Sequence, residues 1–144
     1  MMKDVLITIN STQNVDGKVC AGPELITTGN YDFAKDGARF FYLESEITGL
    51  TGTKTTFQVN RDEIVLSRRG TVNAQMVFRC GEHNRFFYRT ELGALTIGLD
   101  TSRLDYRLDE HGGDVEIEYA LDFEREPISR NTFKINIREK ELKS

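Results

Sequence analysis

Apolar and polar residues alternate along most of this chain, in runs the length of a β-strand. In residues 114–124, apolar side chains occupy the odd positions from Val115 to Phe123, and mostly acidic side chains lie between them. A period of two places each set on its own face of a strand. Repeated over nearly the whole length, the pattern predicts an antiparallel sheet with one buried face and one exposed face.

The alternation and the turn signals predict a series of strands that no helix interrupts. Short turns, most of them containing glycine, separate the runs. Strands without crossover helices connect as hairpins, and about ten of them do not stay flat because sheet twist accumulates. We therefore predict an all-β fold, a single antiparallel up-and-down barrel of about eight to ten strands, with a two-sheet sandwich as the alternative. The predicted strands lie near residues 4–13, 24–34, 39–46, 53–60, 63–68, 71–80, 85–90, 94–101, 103–109, 114–124 and 131–139.

Length and composition indicate one globular domain, residues 1–144, ending in a polar tail at 138–144. Hydrophobic residues make up 38% and charged residues 29% of the chain, as in ordinary globular proteins. No apolar run approaches the ~20 residues of a membrane helix, and the first residues lack the features of a secretory signal. Cys20 and Cys80 are too few for a disulfide scaffold. We therefore expect a cytoplasmic protein that does not enter a membrane.

Charge is distributed unevenly, although the net charge is only −4. Residues 61–89 contain six arginines and three acids, whereas residues 100–126 contain ten acids and three arginines. The overall acidity disfavours nucleic acid as a partner, because nucleic-acid affinity comes mainly from phosphate neutralisation. The asymmetry could orient a protein partner or a second copy of the chain in a homodimer. The simpler interpretation is two solvated faces of opposite sign.

Residue patterns typical of catalysis or metal binding are missing from the sequence. His83 and His111 lie in separate predicted turns, and the cysteines lack the spacing of zinc ligands, so we predict no metal site. No predicted strand carries a histidine that could activate a nucleophile. No glycine-rich phosphate loop precedes a helix. We expect a protein without a cofactor and without enzymatic activity.

The loop at residues 47–52 and the strand after it are the best candidates for a binding site. Glu46 opens this loop at what would be one rim of the barrel. Thr53 and Thr55 share the inward phase of Phe57, so their hydroxyl groups could line a cavity wall. Threonine also favours strands for its shape alone, which is the simpler interpretation.

Arg68 and Gln75 are two further candidates, because each neighbours an inward row of side chains. We expect both to point outward. A buried Arg68 would need a carboxylate partner, such as Glu46 or an acidic group of a ligand.

Three segments resemble the YwiB-type bacterial proteins. They are Glu46 with TGLTGTKTT at residues 48–56, Gly70 with NAQMVF at residues 73–78, and GGDVEIEY at residues 112–119. The resemblance covers nearly the whole chain in the expected order. That family is similar in fold to the calycins, the superfamily of lipocalins and fatty-acid-binding proteins, and its cellular role is uncharacterised. The resemblance implies a closed barrel and supplies no catalytic residues.

The predicted barrel is compatible with three functions. A barrel of this strand number can enclose a small apolar or amphipathic ligand, which is our first expectation. Alternatively, large side chains fill the interior, and the protein is an interaction module. Such a module would use outward aromatic rings of residues 39–42 and 85–88, which both read Arg-Phe-Phe-Tyr. An enzyme with a rim pocket near Glu46 is the third hypothesis.

Overall fold

The computed structural model describes residues 2–22, 24–46 and 48–140, and these residues form eleven strands and no helix. This part of the chain therefore holds no helix that could cross a membrane. The strands are β1 (Lys3–Val15), β2 (Lys18–Ala21), β3 (Leu25–Ala34), β4 (Gly37–Leu43), β5 (Lys54–Val59), β6 (Ile64–Arg69), β7 (Ala74–Phe78), β8 (His83–Thr90), β9 (Gly93–Asp109), β10 (Gly112–Phe123) and β11 (Glu126–Glu139).

The strands form one antiparallel sheet in the order β7-β6-β5-β4-β3-β1-β11-β10-β9-β8. Neighbours in the chain pair as hairpins from β3 to β7 and from β8 to β11, and β1 joins the two halves by pairing with β3 and β11. The short β2 folds back on the end of β1. All the ladders run antiparallel, as hairpin connections require.

A sparsely bonded seam between β7 and β8 brings the two ends of the sheet together. Asn73 and Arg89 exchange two backbone hydrogen bonds of 2.9 Å, and the Gly81 amide donates to the Thr101 carbonyl at 2.9 Å. Between them, the Asn84 side chain donates to the Val77 carbonyl. The result is a nearly closed barrel, which confirms the predicted all-β fold and excludes the two-sheet sandwich.

Several predicted strand boundaries differ from those of the structure. The predicted strands 94–101 and 103–109 are one strand, β9, because a bulge beside Glu118 and Tyr119 of β10 shifts the register without ending the ladder. The β1–β2 hairpin was not predicted. The last strand ends at residue 139 as predicted, but it begins earlier, at Glu126 rather than at residue 131, and residues 141–144 of the predicted polar tail lie outside the described residues.

Aromatic and aliphatic side chains fill the barrel interior. Phe40 stacks on Phe57 at a centroid distance of 4.8 Å, and Phe57 meets the edge of Phe133 at 6.3 Å. Tyr119 joins this cluster by contacting both Phe78 and Phe133. Offset and edge contacts of this kind add to the free energy of apolar burial. The middle of the barrel is therefore a packed core.

Candidate functional site

A cluster of polar side chains, the interior polar cluster, is buried among this apolar packing. It consists of Tyr42, Glu44, Thr55 and Arg68. The Glu44 side chain is only 1% exposed, accepts a hydrogen bond from the Thr55 hydroxyl, and lies 3.7 Å from Nε of Arg68. The other Glu44 oxygen, Oε1, and Arg68 Nε have no hydrogen-bond partner among the described residues. Buried polar atoms are rarely left in this state, so both atoms have capacity for a further partner.

Burial changes the proton affinity of the tyrosines near this cluster. The pKa of Tyr42 is raised above its ordinary value of 10.0, first by burial and then by the charge of Glu44. Burial also raises the pKa of Tyr119 to about 12, although the charge of Arg68 acts in the opposite direction. Both phenols therefore stay protonated at neutral pH and can donate hydrogen bonds.

The structure brings two of the five predicted site residues, Thr55 and Arg68, into the interior polar cluster, and it buries a third, Thr53, nearby. Thr53 and Thr55 are fully buried, and the Thr53 hydroxyl accepts a hydrogen bond from the Val72 amide at 3.3 Å. Arg68 points inward, contrary to our expectation, because it continues the buried row of Ile64 and Leu66 in β6. Its carboxylate partner is Glu44.

The other two predicted site residues lie elsewhere. Gln75 is exposed on β7, as expected, and so is Glu46. The strand β4 ends at Leu43. The alternation of a strand therefore does not determine the direction of Glu46, although Glu46 follows the buried Glu44 by two residues. Ile47, in the predicted loop, lies outside the described residues. The structure thus provides no contact between Glu46 and the interior polar cluster, and a ligand-binding role for Glu46 or Gln75 stays a prediction.

A groove of about 1080 Å³, the outer groove, lies outside the barrel. Its floor is the outer face of β8, β9 and β10, where Gly98 and Ala120 leave space because they carry little or no side chain. The β1–β2 hairpin at Asp16 and the β10–β11 hairpin at Arg125 form its walls. A bulge between Leu121 and Asp122 bends the second hairpin. A concavity of this size is large enough for a small organic molecule.

Three arginines and four acids line this outer groove, and the arginines have no ionic partner in the part of the chain that the structure describes. Arg85, Arg125 and Arg130 contribute to its lining, and none of them forms an ion pair with another described residue. Apolar surface from Leu121 and Ile128 lies between these charges. Unpaired guanidinium groups beside apolar surface are suited to a ligand with an anionic head group.

Three potential metal ligands face one another in the same groove. His83 of β8 is directly opposite Asp100 of β9, and Asp122 follows on β10. His83 Nδ1 is 3.6 Å from Asp100 Oδ1, and His83 Nε2 is 3.8 Å from Asp122 Oδ2. This group was not expected from the sequence, because the absence of a metal site was inferred from histidines and cysteines alone, without the carboxylates on neighbouring strands. Residues 98, 100, 120 and 122 all lie on the outward face of their predicted strands, and this pattern could have revealed the group.

Comparison with known proteins identifies the family and supports the fold. The chain resembles the crystal structure of ywiB protein from Bacillus subtilis, with a TM-score of 0.86 and 22% sequence identity over 97% of this chain and 94% of that one. No curated protein matches the chain. Residues 7–135 match the family described as a domain of unknown function, DUF1934. The chain therefore belongs to the DUF1934 family.

Proposed function

We propose that this protein binds a small molecule carrying an anionic group, and that the ligand occupies the outer groove rather than the barrel interior. The observation that carries the proposal is the presence of three unpaired arginines, Arg85, Arg125 and Arg130, in a groove of about 1080 Å³. A phosphate or carboxylate group can pair with these guanidinium groups, and the apolar strip at Leu121 and Ile128 can cover the rest of the ligand.

The packed interior is the reason for preferring the outer groove over the interior ligand that the sequence suggested. The rings of Phe40, Phe57, Phe78, Tyr119 and Phe133 occupy the space that an apolar ligand would need. Displacing them would expose apolar surface and open a cavity, and both cost free energy.

A small polar ligand in the interior polar cluster is the second candidate. It is favoured by the buried Glu44 Oε1, which lacks a donor, and by Arg68, whose side chain is 20% exposed and so reaches the barrel end. A molecule with one donor and one acceptor would satisfy both groups. This candidate keeps the ligand inside the barrel, as the sequence suggested, but replaces the apolar or amphipathic molecule by a polar one.

We also propose a compartment, an activity class and an oligomeric state for the protein. We place the protein in the cytoplasm, because Cys20 and Cys80 are both free and exposed, a state that a reducing compartment maintains. We infer a binding protein rather than an enzyme, since the proposed contacts are guanidinium groups and apolar surface that hold a ligand in place. A homodimer through the outward ring of Phe87, which is 57% exposed, is also a proposal.

Binding of inorganic phosphate and of citrate, measured by calorimetry, tests the groove. Replacing Arg85, Arg125 or Arg130 by glutamine should lower the affinity about tenfold each, because a charge-assisted hydrogen bond is lost. Arg107→Gln is the matched control, since Arg107 is exposed on β9 and does not line the groove. Equal losses in the control and the three groove variants would contradict the proposal, as would the absence of binding by either anion.

A further inference from the structure

We infer that His83, Asp100 and Asp122 form a binding site for a divalent transition-metal ion. The three side chains come from the neighbouring strands β8, β9 and β10, and one potential ligand atom from each lies within 4.8 Å of the others. One imidazole nitrogen and two carboxylate oxygens are a donor set that suits Zn²⁺ or Mn²⁺. The inference concerns the metal alone and stands whether or not the groove also binds an anion.

The register of β9 places the two aspartates on the same face of the sheet. Asp100 pairs with Ala120, and Asp122 pairs with Gly98, after the bulge has shifted the ladder by one residue. A continuous ladder without the bulge would place Leu99 opposite Asp122 and turn Asp100 away from this pair. The bulge therefore creates the cluster on the exposed face while Leu99 remains in the core.

Gly98 provides the space in which the Asp122 carboxylate lies. A Cβ atom at position 98 would be 2.3 Å from Asp122 Oδ1 and 2.4 Å from Oδ2, closer than such atoms approach. Any other residue would therefore push this carboxylate away from His83. A glycine in the middle of a strand weakens the strand, and here it allows a functional group to turn towards its neighbours.

The three side chains are free to coordinate an ion. Both distances to His83 exceed 3.5 Å, and none of the three side chains makes a hydrogen bond to another described residue. Within the described chain, His83 is the only ionic partner of either aspartate. Two close carboxylates that share a single ionic partner, His83, repel each other. A divalent cation would remove that repulsion.

The side chains must move inward to reach coordination distance. Ligand atoms in a tetrahedral site with bonds of about 2.1 Å lie about 3.4 Å apart, so the cluster has to contract from 4.8 Å and one imidazole nitrogen has to turn towards both carboxylates. The side chains of His83 and Asp100 are 43% and 58% exposed, and rotation about their side-chain bonds meets little resistance from packing. The open side of the site faces the groove, where water would complete the coordination shell.

The second histidine of the chain provides a matched control. His111 Nδ1 lies 3.2 Å from Glu139, and His111 Nε2 lies 3.4 Å from Glu110, so this histidine also has two carboxylate neighbours. Glu139, however, already accepts a hydrogen bond of 2.6 Å from Lys3, and this bond lowers the pKa of the Glu139 carboxyl. A carboxylate that already accepts a hydrogen bond from an ammonium group is a poor metal ligand.

Metal titration of the chelator-treated protein tests the inference. We expect one Zn²⁺ to bind per chain by calorimetry, and Mn²⁺ to bind at the same site by electron paramagnetic resonance, whereas Mg²⁺ should bind much more weakly because it avoids imidazole. His83→Ala, Asp100→Asn and Asp122→Asn should each lower the Zn²⁺ affinity tenfold or more, whereas His111→Ala should leave it unchanged.

The variants also separate metal binding from folding. All four substitutions change exposed or half-exposed side chains, so their metal-free unfolding midpoints should match that of the parent protein. Mn²⁺ coordinates thiols poorly, so its signal excludes binding by Cys20 and Cys80. Affinity that survives all three cluster substitutions, or that falls equally in His111→Ala, would overturn the inference, and so would the absence of Zn²⁺ binding.

Discussion

Glu44 and Arg68 are a pair of opposite charges inside an apolar barrel. Removing two charges from water is costly, and their attraction offsets that cost only where hydrogen bonds satisfy the remaining atoms. Here the Thr55 hydroxyl satisfies one Glu44 oxygen, while the other has no partner among the described residues. Removing one member of the pair should therefore lower the free energy of unfolding substantially.

We expect Glu44→Gln to destabilise the protein by about 2 kcal/mol, because it leaves the charge of Arg68 without its counter-ion. Combining it with Arg68→Met should recover part of that loss, since no half-buried charge is then left unpaired. Urea unfolding followed by circular dichroism measures both effects. Glu46→Gln is the control and should change the stability by less than about 0.5 kcal/mol, because Glu46 is exposed. An equal effect of Glu44→Gln and Glu46→Gln would show that the buried pair is unimportant.

The alternation of inward and outward side chains along a strand explains which site residues could be predicted to be buried. Thr53 and Thr55 share a phase with Phe57, and all three are buried. Arg68 follows from the same rule applied to β6, but the rule conflicts with the general preference of arginine for the surface, to which we gave more weight. Glu44 follows from the same rule as well, because it continues the buried row of Phe40 and Tyr42 one residue beyond the end of β4.

At the level of elements, the β10–β11 hairpin has an unusual turn. Glu124 and Arg125 both have positive φ, 52° and 69°, in a two-residue connection that normally contains Asn-Gly. The corresponding turn of β1–β2 contains Asp16 and Gly17, which suit this geometry. Side chains in the left-handed region cost free energy, so this hairpin is strained at the wall of the outer groove.

Replacing Glu124 by asparagine together with Arg125 by glycine should stabilise the protein by about 1–2 kcal/mol, because both residues tolerate positive φ. The same variant should bind phosphate more weakly, since it lacks Arg125. Chemical unfolding and calorimetry on one preparation measure the two quantities. Asp16→Asn should give no such stabilisation, because its turn is already favourable. A double variant that is no more stable than the parent would argue against strain at this turn.

The sequence could predict most elements but not where the ladders shift. Glycine-containing turns correctly marked most hairpins, whereas Glu124 and Arg125 gave no turn signal. The parity change within residues 94–109 was visible, but it was interpreted as two strands, because a bulge and a chain reversal both change parity. The bulge sets which residues of β9 and β10 lie opposite each other, so the close approach of Asp100 and Asp122 depended on the feature that was hardest to predict.

For the molecule as a whole, closure and packing determine where a ligand can bind. The predicted barrel is confirmed, and its seam lies between β7 and β8 because β1 and β11 pair with each other. Whether the interior is hollow could not be deduced from periodicity, which reports the direction of side chains and not the volume they fill. The aromatic contacts of Phe57 and Tyr119 fill the centre of the barrel, which favours the outer groove over the interior as the place for a ligand.

The most direct test of this account is a map of amide chemical shifts during a titration of the ¹⁵N-labelled protein with inorganic phosphate. Binding in the outer groove predicts shift changes that concentrate in residues 83–85, 98–100 and 120–130 and that require about tenfold more phosphate in Arg130→Gln. Changes that concentrate in residues 42–44, 53–55 and 68 would place the anion in the interior polar cluster instead. That result would contradict the claim that this barrel is packed inside and binds its ligand on its outer face.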